Sequence, residues 1–159
     1  MSFLRFLMLL SLIVWLGGIT FLSFVVAPTA FSGILPSRHL AGTVVGTSLT
    51  KLHWMGLVSG VVFLASSMVY SRMTTGSAHP FALRHILLCL MLLLTIVSQF
   101  GITPRMTALR TSVGQIDSVP ETDPARVQFN ALHAWSERLE VIVFFLAIIV
   151  VYLTARQFA

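Results

Sequence analysis

The chain has 159 residues, of which 57% are hydrophobic and 9% charged, with a formal net charge of +5. A soluble domain carries about 25% charged residues, so this composition excludes a water-soluble globule and defines a single-domain integral membrane protein whose first partner is the lipid bilayer. The arginines are scattered at the ends of apolar runs without forming a basic cluster, which speaks against nucleic acid as a partner.

Let side A be the face that holds the N-terminus and side B the opposite face. The first helix is expected over about residues 4–28. Arg5 leads into the apolar run "FLMLLSLIVWLGGITFLSFVV", and Ala27-Pro28 is expected to end it on side B, because proline breaks the backbone ladder. The run is longer than the 7–15 apolar residues of a signal peptide, so a retained helix is expected. Within it, Gly17 and Gly18 mark a close helix contact.

A second helix is expected over about residues 38–71, opened by Pro36-Ser37. His39, Gly46, His53, Gly60 and Ser67 recur every seven residues along it, which defines one packed face. Gly56 and Gly60 add a GxxxG close-approach motif. The turn "RMTTGSAHP" follows on side A, where Arg84 and His85 are expected to meet lipid headgroups.

The third helix is expected over about residues 81–102, ending at Thr103-Pro104 on side B. A polar loop, "RMTALRTSVGQIDSVPETDPARVQ", leads to the fourth helix, expected over about residues 124–156. Asp123 is placed to cap that helix, and Pro124 suits its first position. At 1.5 Å per residue it is about 48 Å long, against about 30 Å of hydrocarbon. The starts of the second and fourth helices therefore extend beyond the bilayer on side B. Six of the ten basic residues also lie on that side, which leans toward a cytoplasmic side B. The membrane expected is the bacterial inner, or cytoplasmic, membrane.

The fourth helix carries the chemistry. Arg126, Asn130, His133, Glu137 and Glu140 are spaced four, three, four and three apart, and so share one helical face. The uncharged run after Glu140 covers only about 22 Å, so Glu140 must sit at or inside the hydrocarbon edge and face a partner. Counting rise along each helix puts His53 level with Glu137, with Gln99 and Glu140 slightly nearer side A, Thr20 and Ser23 near the same polar layer, and His133 somewhat higher. Gln99 and Glu140 are the intramembrane polar candidates. Cys89 stands alone in an apolar run and reads as a buried small hydrophobe. No G-x-S-x-G, HExxH, P-loop or EF-hand pattern occurs, and the E-x-x-H of di-iron bundles is missing.

The stretches "WLGGITFLSFVVAPTAF", "LAGTVVG" and "FNALHAWSERLEVIVFFLAI" resemble the transmembrane-protein-205-like family of small four-helix membrane proteins of unknown function. More distantly, the architecture resembles HemJ-type protoporphyrinogen oxidases and the membrane domain of copper-resistance protein D. Those likenesses imply haem b or copper, with His53 in "KLHWMG" as the best match to a ligand histidine.

The expected fold is thus all-α, a membrane four-helix bundle packed through Gly17, Gly18, Gly46, Gly56 and Gly60. The leading functional expectation is a binding protein that holds haem b or a transition metal near side B. His53 and His133 would be the ligands and Glu137 a metal ligand or orienting carboxylate. The rivals are a structural subunit of a larger membrane complex, or a homo-oligomer, and a small proton-linked transporter. The absence of an inverted repeat weighs against the last.

Overall fold

The computed structural model describes residues 1–158. Four long helices are apolar enough to cross a membrane: α1 (Ser2–Ile34), α2 (Arg38–Thr75), α3 (Leu83–Val113) and α4 (Pro124–Phe158). The protein is an all-helical membrane bundle. At 38 and 35 residues, α2 and α4 far exceed the roughly 20 residues that a bilayer requires.

The helix starts follow local chemistry. Ser37 is extended, and its Oγ accepts the Leu40 N–H at 3.2 Å, which caps α2. Asp123 Oδ1 accepts the Ala125 N–H at 2.8 Å, with Pro124 at the first position of α4. The stop of α2 is Gly76, whose φ of +78° suits only glycine.

Two expected stops are not stops. The first helix runs past Pro28 to Ile34, and the third runs past Pro104 to Val113. Both prolines sit beside π turns, Leu22–Val26 and Ala30–Ile34 in α1 and Val97–Ile102 in α3. A proline inside a regular helix crowds the carbonyl four residues back and leaves it without a donor. The i→i+5 pattern of a π turn reassigns the carbonyls around it, so the helix continues. In α3 the Thr103 hydroxyl also donates to the Ser98 carbonyl at 3.0 Å.

The side-A half of the bundle is solid. Met8, Leu12, Trp15 and Ile19 form one stripe of α1 and pack against Phe63 and Tyr70 of α2, Leu88 and Met91 of α3, and Val143, Ala147 and Val150 of α4. A Cβ on Gly56 would stand 2.6 Å from Trp15 Nε1, and one on Gly60 2.6 Å from Leu92 and 2.8 Å from Trp15. Both glycines therefore admit neighbouring side chains, and Gly18 likewise admits Leu52. Gly46 touches only the Arg110 side chain, at 3.6 Å. Gly17 corrects the expectation: nothing lies within 4 Å of its Cβ position, and it is exposed on the outer face.

The headgroup expectation for Arg84 and His85 is also corrected. His85 is buried, and its Nδ1–H donates to the His79 carbonyl at 3.1 Å. That leaves Nε2 to accept from the Ser67 hydroxyl at 2.7 Å, while Ser67 and Ser71 accept from Arg84 at 3.0 Å each. The seven-residue face of α2 thus ends in a closed polar network on side A.

Candidate functional site: a vestibule floored by a histidine–glutamate pair

Toward side B the helices part. They enclose a cavity of about 1170 Å³ lined by residues of all four. The tail of α3 beyond Pro104 contributes Thr107 and Arg110, and the start of α2 contributes His39, Gly42, Thr47 and Thr50. The fourth helix supplies Asn130, His133, Ser136, Glu137 and Glu140, largely the stripe expected from its spacing. The outer wall is apolar. Phe24, Phe31, Val141 and Phe145 line the cavity and are also exposed on the outside of the bundle. Between α1 and α4 the cavity wall is therefore made of apolar, mostly aromatic side chains.

Glu140 marks the inner limit of this vestibule. Its Oε1 lies 2.5 Å from His53 Nε2, and His53 Nδ1 lies 2.9 Å from Gln99 Oε1. His53 is 2% exposed, Gln99 is buried, and the Glu140 side chain is 16% exposed. Three helices meet in this chain of contacts, and Gln99 belongs to the π turn of α3. With the Gln99 amide oxygen turned to the ring, His53 Nδ1 is the donor of that contact. The contact at Nε2 then holds a single proton, which sits on the imidazole beside a carboxylate or on Glu140 beside a neutral imidazole. The histidine and the carboxylate form one proton-holding unit.

The two histidines expected to share a ligand are not brought together. His133 pairs with Glu137 of its own helix, Nε2 to Oε1 at 3.2 Å, and both side chains are at least half exposed. His53 meets Glu140, seven residues and about 10 Å further along α4. Both ring nitrogens of His53 are engaged, so neither offers a free lone pair to an ion. Among the described residues no group of three His, Cys, Asp or Glu side chains is placed to hold a metal. The clamp of His53 and His133 with Glu137 is therefore not formed, because each histidine is already held by a carboxylate. Elsewhere in the polar layer, Thr20 is exposed and donates to the Leu16 carbonyl, and Arg138 is exposed and lies over the Trp135 ring, 5.2 Å from its centroid.

Arg110 was missed by sequence reasoning. It belongs to the vestibule only because α3 continues beyond Pro104. The signal was present in the glycine pair Gly42 and Gly46, whose bare surface on α2 receives the guanidinium.

Fold and site together define a small polytopic helical membrane protein with a polar pocket at one membrane face. The chain belongs to the family described as a domain of unknown function, DUF4149, which residues 10–114 match. No curated protein and no solved structure matches it. The family match takes in His53, Gln99 and Arg110 and ends before α4, so Glu140 lies outside it. It assigns no activity and does not extend to the narrower likenesses drawn from the sequence.

Proposed function

We propose that the protein is a proton-linked binder of a small ligand, belonging to the class of small membrane carriers, with the vestibule as its site. The observation that carries this reading is the juxtaposition of a ligand-sized cavity with the His53–Glu140 pair at its inner wall. Ligand sites are concave and mostly apolar, of some 300–1,000 Å³, with a few placed polar groups. An ionisable side chain within a membrane helix usually faces such a cavity and marks a proton or solute path. A ligand that touches Glu140 changes where the shared proton rests, and histidine loads and releases protons near neutral pH. Haem b or copper is the weaker reading, because a ligand histidine at position 53 would have to give up Gln99 or Glu140.

The experiment is binding of a neutral solvatochromic dye of the Nile red type to the purified protein in phosphatidylcholine nanodiscs, measured between about pH 5 and 8. Dye affinity is expected to vary with pH in the natural protein and to be flat in Glu140→Gln. Thr47→Trp, which places an indole in the vestibule, is expected to weaken binding. Binding unchanged by Thr47→Trp would place the ligand site elsewhere.

A further inference from the structure

Two buried nitrogens at the outer rim of the vestibule have no hydrogen-bond partner: His39 Nδ1 and Arg110 Nε. The Arg110 Nε–H can only donate, and His39 Nδ1 donates when it carries the ring hydrogen; an unmet buried donor is costly unless something arrives to accept from it. Arg110 is held in place from two sides. Its Nη1 donates to the Gly42 carbonyl at 3.2 Å, and its plane lies over the Phe129 ring, 4.9 Å from the centroid. A Cβ on Gly42 would stand 2.9 Å from Nη2, so the bare glycine is what lets the guanidinium lie against α2. His39 precedes Gly42 by three residues and shares its helix face.

Among the described residues no carboxylate is in ion-pair contact with this cation, although Asp117 acts on it across the cavity. Glu140 is committed to His53 and Glu137 to His133, and Asp117 lines the same cavity without pairing to Arg110. Arginine keeps its charge under all ordinary conditions and matches carboxylate and phosphate geometry. Beside this polar rim runs an apolar wall formed by Phe24 and Phe31 of α1 and Phe144 and Phe145 of α4. Phe24 and Phe144 meet edge to face, ring centroids 6.2 Å apart, where α1 and α4 adjoin.

We propose that the vestibule takes a single-chain anionic amphiphile from the bilayer, its carboxylate or phosphate head on Arg110 and His39 and its chain along the phenylalanine wall. The inference rests on the vestibule being a ligand site and adds the chemical class of the ligand. Head and chain separate as the membrane itself separates them, with the cation on the part of α3 that extends toward side B and the rings facing lipid.

The test uses the full protein in phosphatidylcholine nanodiscs and a set of dansyl-labelled undecyl probes that differ only in the head: carboxylate, phosphate monoester, alcohol and trimethylammonium. The two anionic probes are expected to bind, and the alcohol and the ammonium more weakly by on the order of tenfold. Arg110→Gln is expected to erase this preference while the alcohol binds as before, and Arg110→Lys to keep part of it. The alcohol arm and a melting curve separate loss of the anchor from loss of the fold. Equal binding of all heads, or an undiminished anionic preference in Arg110→Gln, overturns the proposal. Full displacement of the anionic probes by inorganic phosphate alone also overturns it, because the site would then take a free anion. Weaker binding of every probe in Thr47→Trp keeps the vestibule as the site whichever head wins, so the two readings fail separately.

Discussion

At the residue scale, the protein is organised around His53. Its ring is buried with a partner on each nitrogen, Gln99 from α3 and Glu140 from α4. The energetic consequence is asymmetric. Glu140→Gln keeps a hydrogen-bonding group opposite Nε2, whereas Glu140→Leu leaves that nitrogen buried and unpartnered. We expect Glu140→Leu to destabilise the protein by about 1–3 kcal/mol and Glu140→Gln by clearly less. Thermal unfolding in a mild detergent reads the difference, and equal melting temperatures for both variants would mean that water already serves His53. Much of this contact was legible in the sequence. Each helix advances by a fixed rise, so counting residues from side A put His53, Gln99, Glu137 and Glu140 in one layer, without showing which of the two glutamates meets His53. The partner of His133 was not legible in that way. Depth alone gave it His53, but a carboxylate four residues along the same helix is closer than any group across a bundle that opens on that side.

At the scale of the elements, the π turns decide the architecture. Proline signals at Pro28 and Pro104 read as stops because a regular helix does not tolerate them. Whether a π turn absorbs the proline depends on neighbours such as Thr103, whose hydroxyl serves the Ser98 carbonyl, and this lies beyond what spacing alone conveys. The continuation of α3 brings Arg110 to the vestibule, so the misplaced stop also hid that residue. The glycines show the same limit. Gly17 and Gly60 look equivalent as small residues in apolar runs, yet one faces outward and the other admits Trp15 and Leu92. Gly60→Leu is expected to cost about 1–3 kcal/mol through overpacking, seen as a lower melting temperature. Gly17→Leu is expected to leave the melting temperature unchanged or raise it, since leucine is the better helix former. A Gly17→Leu variant as damaged as Gly60→Leu would show that the outer face of α1 is an interface.

At the scale of the whole molecule, the bundle divides into two halves with different tasks. The side-A half is a close-packed core closed by the Arg84–Ser67–His85 network, and it holds the helices at fixed spacing. The side-B half spreads the same helices around the vestibule, with the His53–Glu140 pair where the two halves meet. On the proposed reading, the packed helices below hold the pocket above in place for a ligand that arrives at one membrane face. The central claim is that access to the pocket and the proton on the pair are linked. The most direct measurement is the labelling rate of a thiol placed in the vestibule, Thr47→Cys in a Cys89→Ser background, with a charged water-soluble maleimide. Cys89, expected to be buried, is exposed and must be removed for the measurement. The account expects a labelling rate that changes between about pH 5 and 8, beyond the intrinsic pH dependence of a thiol control on the side-B surface, and that loses this excess when Glu140→Gln is added. A rate that follows the control across that range, with and without Glu140, would contradict it.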